Sequence, residues 1–347
     1  FFKQKTAYEI MPSLVGAEMC IRDRSSVLAF ENLSIDFETP TGPVHAVRNV
    51  NFEVPYNKVV GIVGESGCGK TTVISAAMSL LSNNAVVASG RVSFEQQDIL
   101  KLSEAALRKI RGEKISMVFQ DPLTSQNPVI SIGKQMIDIQ YRQTEFSLKQ
   151  KRSNAVNMLN RVGIPDPEMR LNQFPHELSG GMRQRISIAM AILMKPSVLI
   201  ADEPTTALDV TMEAQIIHLL RELQREFSSS ILFASHNLGL IAELCDEVVV
   251  MYAGEVAEKG SCHDIFHRPT HPYTKALLAC DPSRISERTR KLPTIQGDVP
   301  NLQVVPEGCV FSDRCPVVHD PCYSQQPTEF SINTIHKASC HLLHSDN

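Results

Sequence analysis

Nowhere in the 347 residues do about eighteen apolar residues run together, so no stretch is long enough to cross a bilayer as a helix. No secretory pattern appears at the start. The formal net charge is -4, which gives no general field for a polyanion, and nucleic acid is not an expected partner. Long heptad stretches are missing, as are the C-x-x-C knuckles of structural zinc. Apolar residues still make up 43% of the chain, ample for a packed core. The length predicts about two domains, and the expected setting is the cytoplasm.

One stretch stands out. Gly64-Glu65-Ser66-Gly67-Cys68-Gly69-Lys70-Thr71 reads as G-x-x-x-x-G-K-[ST], and it occurs once. Val59, Val60, Ile62 and Val63 ahead of it suit a buried strand, and the residues from Thr72 to Leu81 suit a helix. In that context the three glycines let backbone N–H groups turn inward around phosphate oxygens, at the positive end of a helix. Glu65, Ser66, Cys68 and Thr72 belong to the same binding stretch. Lys70 would reach the β- and γ-phosphates, and the Thr71 hydroxyl would bind Mg²⁺. An ordinary glycine-rich turn is the alternative, and the flanking strand and helix weigh against it.

Ahead of this loop, residues 1–24 show no clean periodicity and look like translated adaptor-type sequence or a disordered tail, so they are set aside from the fold. Alternation at Leu28, Phe30, Leu33, Ile35 and Phe37, a Pro/Gly turn and the run from Val44 to Val54 predict two antiparallel strands. Phe37 suits stacking beneath an adenine ring or a place in the core. After the loop, Val92 and Phe94 fit a short strand, and a strand from Ile115 to Phe119 ends at Gln120. Helical patterns fill 132 to about 171. Ser179, Gly180 and Gly181 then open a helix, with Ser179 a good N-cap, and offer free N–H groups to an anion. Val198-Leu199-Ile200-Ala201 delivers Asp202 and Glu203 at a strand's end, where paired acids call for a cation. Asp202 would hold Mg²⁺ with Thr71, and Glu203 would polarise an attacking water. Ile231-Leu232-Phe233-Ala234-Ser235 carries His236 at its tip, placed to contact the γ-phosphate and orient that water. Val248 to Met251, Gly254 and Val256 supply closing strands.

In this order the phosphate loop, Gln120, Leu178-Ser179-Gly180-Gly181-Met182, the acidic strand with Ala207-Leu208-Asp209, and His236 resemble the ATP-binding subunit of an ABC transporter. The resemblance covers about 27 to 259. It narrows to the dipeptide/oligopeptide importer subfamily through VGESGCGK, FQDP, LSGGMRQR, the HPYTKALL stretch from His271 and the tail IQGDVPNL…GCVFSDRC. It implies an α/β phosphate-loop NTPase fold with an antiparallel β subdomain, a helical subdomain and a small irregular C-terminal domain. The boundaries it implies are 25–260 for the nucleotide-binding domain, with a helical insertion at about 121–177, and 261–347 for the appended region. Two such domains would pair head to tail, ATP lying between one phosphate loop and the partner's Ser179, Gly180 and Gly181, with Asp209 on the facing surface. Gln120 would touch Mg²⁺ and water and, with the helical insertion, pass motion to a permease.

The implied function is ATP hydrolysis that energises import of di- or oligopeptides at the cytoplasmic face of the membrane. The implied partners are a second nucleotide-binding subunit, identical or paralogous, two transmembrane permease subunits and an extracytoplasmic solute-binding protein. A soluble ABC ATPase outside transport, or an importer of nickel, glutathione or another small solute, are the alternatives. Two positions depart from the general family pattern: Met182 replaces the usual Gln, and Asn237 follows His236 where Asp is common.

Beyond Gly260 prolines accumulate and regular patterns fade. Of nine cysteines, Cys309, Cys315, Cys322 and Cys340 gather there, with five, six and seventeen residues between successive members. Four thiolates suffice for zinc or an iron–sulfur cluster, and the family resemblance implies a 4Fe-4S cluster; zinc and buried free thiols are the other readings. His263, His267 and His271, four apart, read as a helix face or loop in preference to a further metal site.

Overall fold

The structure, a computed structural model, describes residues 26–121, 125–206, 208–281 and 293–344. The segment 1–24 that the sequence sets aside lies outside them, as does Ala207.

Alternating aromatic and β-branched residues open the described chain as two long strands, Ser26–Phe37 (β1) and Val44–Pro55 (β2). They pair antiparallel, with Phe30 opposite Phe52 and the rings stacked at 4.3 Å. The register shifts between Phe30 and Leu33, where Asn32 takes a φ of 48°. That bulge returns Leu33 and Ile35 to the core face. Val59–Val63 (β3) leads through the glycine-rich loop into Lys70–Ala77 (α1), followed by Ala85–Phe94 (β4) and Gln97–Asp98 (β5). A four-stranded antiparallel sheet results, in the order β2-β1-β4-β5. β4 is longer than the short strand expected around Val92 and Phe94. Its first seven residues keep at most a partly covered surface, so pairing with β1 holds them and no apolar period marks them.

Glu104–Ile110 (α2) and Ile115–Val118 (β6) precede the helical part: Ile132–Ile139 (α3), Leu148–Arg161 (α4), Pro167–Arg170 (α5) and Gly180–Ile192 (α6). Val198–Asp202 (β7), Val210–Phe227 (α7), Ser230–Ala234 (β8), Leu238–Leu244 (α8), Glu247–Tyr252 (β9) and Glu255–Ser261 (β10) complete the centre. After it come Cys262–His267 (α9), Pro272–Ala279 (α10), Pro321–Ser324 (α11), Glu329–Ser331 (β11) and Lys337–Ser339 (β12).

The larger sheet runs β11-β12-β10-β9-β3-β8-β7-β6. β9, β3, β8, β7 and β6 are parallel, and β10, β12 and β11 attach antiparallel. Because successive side chains in a strand point to opposite faces, each central strand feeds two cores. Val59, Leu199, Ile231 and Val248 face the layer containing α3, α4 and α6. Val60, Ile200, Leu232 and Val249 face α1 and the smaller sheet. Burial on both sides explains the near-continuous apolar runs of these strands.

The chain beyond 260, expected to be irregular, joins this sheet through β12 and the larger core through Tyr273, Leu278 and Phe311. One buried carboxylate anchors it. Glu258 on β10 accepts from Thr270 N and Oγ1 at 2.8 Å each and from His271 N at 3.0 Å, and it pairs with His336 Nε2 at 2.7 Å.

Candidate active site

Adjacent parallel strands end at one edge of the sheet, and loops there can combine residues distant in sequence. β3, β8, β7 and β6 lie side by side in that order, and their ends carry the phosphate loop, His236, the acidic pair and Gln120 respectively.

At the end of β3 the chain turns at Gly64, which abuts the Met251 carbonyl so closely that no Cβ fits. Gly67 and Gly69 adopt φ of 79° and 102°, left-handed backbone that glycine takes at little cost. The turn places Lys70 at the start of α1. Its ammonium folds back over the loop and donates to the carbonyls of Gly64 at 2.8 Å and Glu65 at 3.3 Å. Ser66 and Gly67 are exposed at the rim, and Thr72 is half-buried on α1. The Cys68 side chain points inward instead, joins the smaller core, and has its thiol pushed up by burial.

Thr71 hydrogen-bonds the Asp202 carboxylate at the end of β7. Asp202 is only 4% exposed, and its Oδ1 has no hydrogen-bond partner among the described residues. Next to it, Glu203 adopts a φ of 44°, rare for a residue with a side chain. Three groups converge on its Oε2: Gln120 Nε2 donates at 3.2 Å, Thr206 Oγ1 donates at 3.3 Å, and His236 Nδ1 lies at 3.2 Å. The His236 side chain is 64% exposed, so its other face is open to solvent. Asn237 has a local task of its own, accepting from Gly239 N at 3.0 Å as the cap of α8.

Phe37 ends β1 opposite Val44 and Ala85, half-buried and outside both hydrophobic clusters. Ser179 caps α6, accepting from Met182 N at 3.3 Å. Gly180 has open space beside it, whereas Gly181 is packed under Met212 of α7, whose cap is Asp209. Among the described residues no hydrogen bond joins Ser179, Gly180 or Gly181 to the phosphate loop. Sequence reading missed Thr206, and it missed two tail residues, Tyr273 and Arg314, that bond to Glu65. Thr206 stands three residues after Glu203 and was within reach of a local argument. Arg314 is 249 residues from its partner, and no local signal marks it.

The ABC transporter family model matches residues 47–206, and that for the oligopeptide/dipeptide transporter C-terminal region matches 257–322. The dipeptide transport ATP-binding protein DppD of Bacillus subtilis (strain 168) is 46% identical over 313 residues, 89% of this chain and 93% of the relative. The oligopeptide transport ATP-binding protein OppD of Escherichia coli (strain K12) is 44% identical over 304 residues, 88% and 90% of the two chains. This chain belongs to the ABC transporter ATP-binding family. Its fold agrees: the ATP-binding cassette MJ0796, solved as a dimer in a post-hydrolysis state with ADP and Pi, superposes with a TM-score of 0.61 at 25% identity. That match covers 68% of this chain and 98% of the cassette.

An ABC ATPase works with Mg²⁺ and ATP, and the residues present suit both. The buried Oδ1 of Asp202, without a partner among the described residues, and the Thr71 hydroxyl are hard-oxygen donors that would hold Mg²⁺, which would neutralise phosphate charge. The four tail cysteines give a different result. Cys309, Cys315, Cys322 and Cys340 line one cavity, so the donor set is right for a soft metal centre. Among the described residues, however, no three ligating side chains are arranged to hold a metal ion. Burial pushes the Cys309 thiol up to about 11, opposed by a backbone hydrogen bond from Phe311. His271, considered with His263 and His267, is buried and accepts from Tyr273 N through Nδ1 at 3.0 Å.

Proposed function

We propose that this ABC ATPase energises the import of di- or oligopeptides through separate permease subunits fed by an extracytoplasmic solute-binding protein. It would act as a peripheral subunit at the cytoplasmic face of the membrane; among the described residues no helix is long and apolar enough to cross one. The names of the relatives and the match over 257–322 support the substrate class. The convergence of Gln120, Thr206 and His236 on one oxygen of Glu203, beside the Thr71–Asp202 pair, supports hydrolysis.

In this reading Lys70 leaves the loop carbonyls to meet the β- and γ-phosphates, and Phe37 stacks on the adenine. Thr71 and Asp202, with Gln120 nearby, hold Mg²⁺, which neutralises phosphate charge. Glu203 takes up the proton side of the attacking water, with His236 orienting it. Ser179, Gly180 and Gly181 serve the ATP of a second nucleotide-binding subunit, a role supported by the open flank of Gly180. The cassette would span 25–260, its helical insertion about 121–177, with 261–347 appended. For the four cysteines the donor set supports a 4Fe-4S cluster or zinc, either of which requires the thiols to rearrange around it. Iron and zinc analysis of anaerobically purified protein separates these from free thiols.

Glu203→Gln keeps the size and the hydrogen bonds of the side chain and removes its basicity. ATP hydrolysis should fall by about 100-fold or more, with ATP binding retained. Hydrolysis at the wild-type rate would remove Glu203 from the role of base.

A further inference from the structure

The tail makes contacts with the phosphate loop that none of the roles above uses. Glu65, the second residue of the loop, is held at two points. Its N–H donates to Tyr273 Oη at 3.0 Å. Its carboxylate receives two parallel bonds from Arg314, Nη1 to Oε2 at 2.7 Å and Nη2 to Oε1 at 3.0 Å. The Arg314 side chain is 4% exposed and that of Glu65 27%, so this pair is screened from water far better than a surface ion pair.

Arg314 is itself seated in a socket. Nε donates to Gln296 O at 3.0 Å, Nη2 to Ile295 O at 3.1 Å, and Nη1 to Tyr252 Oη at 3.2 Å. With the two bonds to Glu65, all five N–H groups of the guanidinium are used. Gly297, at a φ of 81°, passes so close that a Cβ there would lie 3.2 Å from Arg314 Cγ. Five residues beyond Gly297, the Leu302 carbonyl accepts from His45 N at 2.9 Å, tying the tail to the hairpin that bears Phe37. The tail stretches IQGDVPNL and SDRC thus come together around one cation whose carboxylate partner is in the phosphate loop.

We infer that Arg314, held by residues 295–297, is a positioning residue for nucleotide binding: it fixes Glu65, and with Tyr273 it sets the backbone of the phosphate loop. The inference rests on reading residues 64–71 as the ATP site. Arg314 touches neither the γ-phosphate position marked by Lys70 nor the Glu203 cluster, so its loss acts on affinity and leaves the chemical step alone.

The test uses the full-length chain and Mg·ATP and Mg·ADP as probes, with equilibrium binding and steady-state hydrolysis measured for wild type, Arg314→Ala, Arg314→Lys, Glu65→Gln, the Arg314→Ala/Glu65→Gln double variant and Lys70→Ala. Arg314→Ala and Glu65→Gln should each weaken binding about tenfold. The double variant should be no weaker than the worse single one, because each single change already breaks the Arg314–Glu65 pair. Arg314→Lys should recover only part of the loss, since an ammonium cannot make two parallel bonds. KM should rise in Arg314→Ala with kcat held. Wild-type affinity in Arg314→Ala, or losses that add in the double variant, overturns the inference. If Arg314→Ala does not fold, wild-type affinity in both Arg314→Lys and Glu65→Gln overturns it equally. Lys70→Ala keeps the two readings apart: unchanged binding there defeats the ATP-site reading and this inference with it, whereas loss there beside unchanged Arg314 variants defeats this inference alone.

Discussion

Burial raises the Asp202 carboxyl above its ordinary value; the Thr71 hydroxyl pulls it back, Glu203 adds to the rise and Lys70 opposes it. An acid whose folded value lies above its unfolded one binds its proton more tightly in the native chain. Its ionised form therefore weakens the fold, and stability falls as pH climbs from the ordinary carboxylate value through the raised one. Asp202→Asn removes that penalty. Without nucleotide and Mg²⁺ the variant should melt above wild type at pH 7. The difference should narrow as pH approaches 4, and the added stabilisation by Mg·ATP should disappear. Calorimetry across a pH series reads both effects. A lower melting temperature for the asparagine chain at pH 7 would mean that Asp202 supports the empty site instead of straining it. Glu203 shows a second strain at the same place, since left-handed backbone at a residue with a side chain costs about 1–3 kcal/mol. Both penalties sit where the chemistry is.

Among the elements, the parallel strands were legible because each is buried on both faces and so reads as an apolar run: VVGIV, VLIAD and SILFA. Their C-terminal loops were legible because phosphate, Mg²⁺ and water each demand particular residue types at short spacing. The exposed first half of β4 was not legible, because backbone pairing with β1 leaves no trace in side-chain pattern. Nor were β11 and β12, which have three residues each and gain their partners only in the folded molecule. Their attachment depends on the Glu258–His336 pair, fully buried on one side and nearly so on the other. His336→Ala leaves Glu258 with the N–H groups of Thr270 and His271 and the Thr270 hydroxyl but no facing ring. Removing one member of a buried pair costs up to about 3–5 kcal/mol, and the remaining donors should hold the loss to about 2 kcal/mol. Amide exchange in β12 and α10 should quicken while that of β3 stays slow. Uniform quickening of all three would show that the pair supports the whole sheet and not the tail alone.

For the whole molecule, the lack of any hydrogen bond, among the described residues, between residues 179–181 and the chain's own phosphate loop is in keeping with the proposed pairing. A Lys70→Ala chain should lose ATP at its own loop and still present Ser179, Gly180 and Gly181 of α6 to a partner. Mixed pairs of Lys70→Ala and wild-type chains should then bind one ATP, as read by native mass spectrometry. Loss of both nucleotides would count against a shared site.

The larger sheet ends at β6 on one side, and on the other β12 and β11 cover the flank of β10. Without them the outer edge of β10, where Glu258 and Lys259 pair with Ala338 and Lys337, would present unpaired N–H and C=O groups, a ready template for a strand from another copy. The covering strand comes late in the chain, long after the sheet's centre has been made. Until β12 docks, that edge of β10 is open to a strand from another copy. The tail is in this respect the molecule's own guard against self-association.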